Sequence, residues 1–234
     1  MIRLERVGKA YPTRQPGRPK VILNEVTLEL PAGANVAVLG RNGAGKSTLL
    51  RLMGGIEPPD TGRLLSNRRI SWPVGVCGNF QGSLTGRENV KFVARIYGDN
   101  EADMRQKIAF VQHFADIGDY FDMPLKTYSS GMKSRLAFAL SMAFDFDVYL
   151  VDEVLSVGDR AFRERCRAII EARRQVSNFI VVSHAVDVLK QLCDMALYLE
   201  NGRVDLYEDV GQAIKRYASA AIAASDGGNT QSSS

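Results

Sequence analysis

The run Gly40-Arg41-Asn42-Gly43-Ala44-Gly45-Lys46-Ser47-Thr48 limits what this chain can fold into more than any other stretch of it. It fits the pattern G-x-x-x-x-G-K-[ST], in which consecutive backbone N–H groups turn inward around phosphates. Glycines are needed there because a side chain would block the approach of an anion to those amides. Lys46 brings a point charge toward the β- and γ-phosphates of a nucleotide, and the Ser47 hydroxyl is a ligand for Mg2+. Before the loop, Asn35 to Leu39 is a short apolar run that reads as a buried parallel strand. After it, Ser47 to Met53 reads as a helix that Gly54-Gly55 ends. Strand, glycine loop and helix N-terminus together make an anion site, since the helix dipole and its free N–H groups both favour negative charge. Such a unit predicts an α/β fold, a P-loop NTPase core on a mostly parallel sheet. Alone, the loop leaves a kinase, a GTPase or a motor open.

The 234 residues suffice for one large α/β domain, or for a domain with a small inserted lobe. Charged residues make up 24%, as in ordinary globular proteins, so composition gives no bias toward disorder. A formal net charge of +4 is too small to argue for nucleic acid. Arg14, Arg18 and Lys20 lie in the Pro-rich stretch from Pro12 to Pro19 and just beyond it, read as a solvated loop; contact with anionic lipid headgroups is the second reading. Cys77, Cys166 and Cys193 are too far apart for a metal-ligand spacing. With no signal peptide in view, the expectation is reduced thiols in the cytosol. No segment approaches the roughly 20 apolar residues of a membrane-spanning helix, so any membrane role is expected to run through a partner.

Along the chain, residues 2–7 and 21–30 alternate as strands with one solvated face, which predicts an antiparallel N-terminal β subdomain. The turn Pro58 to Gly62 precedes short strands near 63–66 and 69–72. From Arg87 to about Asp116 the apolar positions Val90, Val93, Ile96, Ile108, Val111 and Phe114 fall at helical spacing, and a small helical lobe is expected over about 82–143. Another helix follows Ser129-Ser130-Gly131; then come a buried strand from Asp147, a charged helix over 160–175 and a buried strand over 178–184. Asn201-Gly202, between Met195–Glu200 and Arg203–Tyr207, is a strong hairpin signal. The small, polar residues 218–234 read as a disordered tail beyond a domain of residues 1–217.

Several of these elements end in residues with chemistry. Asp152 and Glu153 close an apolar strand, and strand ends in α/β sheets face the ligand crevice. One carboxylate there can serve a metal while its neighbour aims at an attacking water. His184 also ends a buried strand, so it faces the same crevice, whereas His113 reads as a solvated helix residue. Gln81 and Tyr11 are anonymous by themselves, although an aromatic ring is what a nucleotide base needs to stack on. Ser129, Ser130 and Gly131 open a helix and form a second anion site, a constellation that in isolation is more often only a cap.

Taken in order, these pieces resemble the nucleotide-binding domain of ABC transporters over about residues 1–217. The resemblance implies that Tyr11 stacks on adenine and that Gly40, Asn42, Gly43, Ala44, Gly45, Lys46, Ser47 and Thr48 hold the ATP phosphates. It makes Gln81 the Q-loop glutamine, Val148 to Asp152 the Walker B strand, Glu153 the catalytic glutamate and His184 the switch histidine. Ser129, Ser130 and Gly131 become the signature offered in trans to the ATP of a second copy, and Ser156 and Asp159 the D-loop. Mg2+ would be served by Ser47, Gln81 and Asp152. Ser130 and Met132 depart from the family signature L-S-G-G-Q, so their contacts do not carry over, while Ser129 and Gly131 are retained. The D-loop reads Ser-Val-Gly-Asp where Ser-Ala-Leu-Asp is usual, as in polysaccharide exporters of the family. The phrases Ile70 to Gly75, Phe80 to Val90 and Tyr128 to Met132 are similar to the ATPases of capsular polysaccharide exporters. Implied partners are a second copy of the chain, a separate pair of permease subunits and further envelope-spanning export proteins, with no nucleic acid. The implied place is the cytoplasmic face of the bacterial inner membrane.

ATPases of O-antigen or teichoic-acid exporters are the nearest alternative. Related O-antigen exporters often carry an added C-terminal carbohydrate-binding domain, which this chain is expected to lack. A soluble ABC ATPase of DNA repair or translation is disfavoured, having usually a coiled-coil insertion or two fused cassettes. No Asn-Lys-x-Asp motif supports a GTPase.

Overall fold

Two sheets, each with its own pattern of burial, organise the chain in the computed structural model, which describes residues 1–13, 15, 17–75, 80–152, 158–183 and 185–226. In the first sheet β1 (Ile2–Tyr11) lies between β2 (Lys20–Leu30) and β4 (Thr61–Ser66), antiparallel to both. β1 runs four residues past the alternating stretch seen in the sequence because register shifts after Leu4 and Val7 let it bend and keep pairing. Its last residue, Tyr11, pairs with Lys20, the first of β2.

The second sheet combines β3 (Val36–Gly40), β5 (Ile70–Val74), β6 (Val148–Asp152), β7 (Asn178–Val182), β8 (Met195–Glu200) and β9 (Arg203–Tyr207) in the order β5-β6-β7-β3-β8-β9. All neighbours are parallel except β8 and β9, which the Asn201-Gly202 turn joins as a hairpin with both residues at positive φ. The central strands are apolar on both faces because both faces are covered. Ala37, Leu39, Tyr149, Val151, Phe179, Val181 and Tyr198 face one core, which takes side chains from α4 (Ser130–Met142), α5 (Arg160–Arg173) and α7 (Val210–Asp226). Val36, Val38, Leu150, Ile180, Val182 and Leu197 face the other, shared with α1 (Lys46–Met53) and the N-terminal sheet.

β5 is an edge strand, which is where Pro73 is tolerated. At the register shift between Ile70 and Pro73, the buried Ser71 hydroxyl takes the Leu150 N–H at 2.9 Å in place of a backbone acceptor.

The helical lobe holds α2 (Gly86–Ile96), α3 (Glu101–Ala115) and two short 3-10 turns before α4. The helical pattern from Arg87 to about Asp116 is divided into two helices where Asn100 caps α3 by accepting from the amides of Ala102 and Asp103. Val90, Ile108 and Val111 are buried as the spacing predicts, but Ile96 is 65% exposed, on the last turn of α2. The tail also departs from expectation. Residues 218–226, read as disordered from their small side chains, continue α7 as far as Asp226; residues 227–234 lie outside the described residues. Alanine is the best helix former, so an Ala-rich stretch extends a helix already nucleated against β3 and β8.

Candidate nucleotide site

Parallel strands place their carboxyl ends on one edge. Val38 is level with Val182, and Val182 with Asp152, so the ends of β3, β7 and β6 come side by side. The loop after β3 leads into α1, whose N-cap is Gly45 at φ 105° and ψ 12°. A side chain there would force its neighbour to move: a Cβ on Gly45 would lie 2.3 Å from Ile22 Cγ2. Lys46 folds back over the loop, its ammonium donating to the Gly40 carbonyl at 2.7 Å and the Arg41 carbonyl at 3.2 Å. That leaves the charge at the rim of the amide cradle.

A cleft of about 540 Å³ opens over this loop, lined by Asn42, Gly43, Gly45, Lys46, Ser47 and Thr48 together with Tyr11, Lys20 and Ile22. The loop residues and Tyr11, far apart in sequence, are therefore brought to one cavity. Gly40 and Ala44 lie in the same loop but not in that lining. The sequence places Lys20 beside a solvated loop, with no sign of a role at the phosphates. Its ammonium is 3.5 Å from where a Cβ on Gly43 would be, which makes it a second cation beside the amides. The pairing of Lys20 with Tyr11 at the end of the hairpin is what carries it there, and no local pattern announces that.

Gln81 and Asp152 stand apart from this lining. Gln81 is exposed, but its backbone is clamped: its N–H donates to Asn89 Oδ1 at 2.9 Å, and Asn89 Nδ2 donates back to its carbonyl at 3.2 Å. Asn89 is buried on α2 and also donates to the Thr85 carbonyl at 2.8 Å. No sequence motif marks Asn89 for this role; its signal is a polar residue in an otherwise apolar helical face. Asp152 is the last residue of β6, half-buried at the carboxyl edge. Glu153, Ser156 and His184 lie outside the described residues.

Ser129, Ser130 and Gly131 are exposed at the start of α4, away from the cleft lining. Ser129 is the N-cap and accepts from the Met132 amide at 3.2 Å, while Met132 turns its side chain onto the core. Asp159 caps α5 through the Phe162 amide at 2.8 Å and accepts from Arg135 of α4 at 2.5 Å. The Phe162 amide first, and then Arg135, hold its carboxyl below the usual range. The glycine before it has a backbone reason: Gly158 sits at φ 80°, and a Cβ there would be 2.8 Å from the Phe162 ring. Among the described residues no group of three or more His, Cys, Asp or Glu is placed to hold a metal. The oxygens of Ser47, Gln81 and Asp152 are the hard donors that Mg2+ accepts alongside water and phosphate, so the donor chemistry fits that ion.

The family described as ABC transporter matches residues 23–156. The polysialic acid transport ATP-binding protein KpsT of Escherichia coli is 52% identical over 218 residues, 93% of this chain and 96% of that protein. The capsule polysaccharide export ATP-binding protein CtrD of Neisseria meningitidis serogroup B is 46% identical, covering 94% and 99%. Among solved structures, a dimeric post-hydrolysis state of the ATP-binding cassette MJ0796 bound to ADP and Pi superposes with a TM-score of 0.73 at 22% identity, covering 90% of this chain and 99% of that one.

Proposed function

The chain belongs to the ABC transporter family, and from that premise we propose that it is the ATP-hydrolysing subunit of an exporter of bacterial capsular polysaccharide. The observation that carries this reading is likeness along nearly the whole length of a capsule-type relative, together with a phosphate loop and aromatic ring on one cleft. Lys46, the loop amides and Lys20 bind the phosphates of ATP, and Tyr11 receives the base. Ser47 and Asp152, with Gln81, would hold Mg2+, which neutralises charge between the β- and γ-phosphates when bound. Glu153 orients and polarises the attacking water, and His184 holds the γ-phosphate.

Ser129 to Gly131 lie off the cleft, which supports a head-to-tail pair in which each chain lends its signature helix to the other's ATP. Likeness to ATP-binding subunits of exporters supports a separate permease at the inner membrane as the recipient of the dimer's work; among the described residues no helix is long and apolar enough to cross a membrane. Phe92 and Ile96, 44% and 65% exposed one helical turn apart on α2, support docking of that permease along residues 76–98 next to Gln81. We take residues 1–217 as the cassette, with the lobe at about 82–143 inserted in the core.

The test is complementation of a capsule-export strain lacking its own ATPase, alongside ATP turnover by the purified chain. Restored surface polysaccharide with the wild type, and none with Lys46→Ala, is the expected result. ATP hydrolysis without restored capsule would move the substrate to another glycan. Glu153→Gln is expected to bind ATP and accumulate as a closed dimer on size exclusion; wild-type turnover in that variant removes Glu153 from its role.

A further inference from the structure

Tyr11 has two torsions between its ring and the backbone, and a ring free to swing is a poor platform for a base. Here its hydroxyl is fixed from two sides. It donates to Glu57 Oε2 at 2.7 Å and accepts from Arg51 Nη2 at 3.2 Å. Glu57 is itself immobilised, since its other oxygen lies 3.0 Å from Lys9 Nζ. Lys9 is only 8% exposed and spends its three N–H donors on Glu57, on Asp60 Oδ1 at 2.9 Å and on the Pro58 carbonyl at 3.0 Å. A buried ammonium needs such partners, so this cluster has one stable arrangement. Arg51 lies on α1, and its Nη2 also donates to Thr48 Oγ1 at 3.1 Å. The same net that holds the ring therefore holds the helix of the phosphate loop.

We infer that Glu57 is a positioning residue for nucleotide binding, fixing the Tyr11 ring at a set distance from the phosphate loop through Lys9 and Arg51. This rests on the ATP site proposed above, with Tyr11 under the base. The turn carrying Glu57, which contains no nucleotide-binding motif, then sets how much of the affinity comes from the base rather than from the phosphates. Glu57 acts through Tyr11 and touches no substrate.

Two ligands separate this role from simple support of the fold: ATP, and inorganic tripolyphosphate, which has phosphates but no base. Titration calorimetry with Tyr11→Phe, which keeps the ring and the Lys9–Glu57 pair, and with Glu57→Ala is expected to raise the Kd for ATP about 5-fold. That is the factor if the unheld ring spends about one fifth of its time in the stacking pose. The double variant is expected to lose no more than either single one, and tripolyphosphate affinity is expected to stay within about twofold. Equal weakening of both ligands would show that the net only supports the loop, and no change in either would also overturn the inference. If Glu57→Ala melts below the assay temperature, Tyr11→Phe decides alone. Unchanged ATP binding in Tyr11→Ala would instead remove the base platform itself, a failure of the underlying site reading distinct from a neutral Glu57→Ala.

Discussion

Replacing Gly45 by alanine tests whether the loop conformation, and not only its residue types, makes the site. The residue sits at φ 105°, where an L side chain costs about 1–2 kcal/mol of backbone energy. The added Cβ would meet Ile22 Cγ2 at 2.3 Å, so that methyl must retreat by about 1 Å or more to reach an ordinary carbon–carbon separation. Ile22 is buried between the N-terminal sheet and the large one, where overpacking of this kind costs about 1–3 kcal/mol. The sum is about 2–5 kcal/mol, or a melting temperature lower by about 4–20 °C for a domain of this size. Gly55→Ala is the control, because Gly55 also has positive φ, 67°, yet nothing lies within 4 Å of its Cβ. It should lose only the backbone part, about 1–2 kcal/mol, and keep ATP affinity. Thermal melts and ATP titration of both variants, with Ile22→Ala added to each, measure the clash as a coupling that only the Gly45 variant shows. Equal melting temperatures for the two alanine variants, with wild-type ATP affinity in Gly45→Ala, would refute the reasoning.

Ser71→Ala leaves the buried Leu150 N–H without its acceptor and should cost about 1–3 kcal/mol in denaturant unfolding, whereas an exposed serine such as Ser83 changed to alanine should cost almost nothing. Burial pushes the thiols of Cys166 and Cys193 each up to about 12, so at pH 8 they should resist iodoacetamide until the chain unfolds; rapid native labelling would contradict this. Because those thiols ionise first in the unfolded chain, stability should fall above about pH 8.5 by about 1.4 kcal/mol per pH unit for each thiol. At the acid end the hydrogen bond from Tyr11 lowers the Glu57 pKa, and that from Lys9 lowers the Asp60 pKa. Their contribution is complete above the ordinary carboxylate range of about 4 and is lost as pH falls below it. The Lys9 pKa is raised, chiefly by Asp60, so its share persists below about pH 10 and fades above. Denaturation midpoints at pH 3 and pH 6 should therefore differ less in Glu57→Gln than in wild type.

Elements with a local cause are legible in adjacent residues. The strand, loop and helix around Lys46 follow from an apolar run, glycines at fixed spacing and a helix stop, all within about twenty residues. The Asn201-Gly202 hairpin and the Ser129 cap are likewise written in adjacent residues, and the ordered motifs carried the family. Other features depend on partners remote in the chain and emerge on folding. Tyr11 reaches the phosphate loop because β1 bends and pairs with Lys20, and it is held by Glu57, 46 residues away. Asn89 holds the backbone of Gln81, and Ser71 takes the Leu150 N–H across the register shift of β5, through contacts that no period encodes. Residues 218–226 read as disordered from their small side chains, yet they continue the helix whose preceding turns dock on β3 and β8. A helix propagates from a nucleus that packing supplies, and packing is the one thing a local window cannot contain.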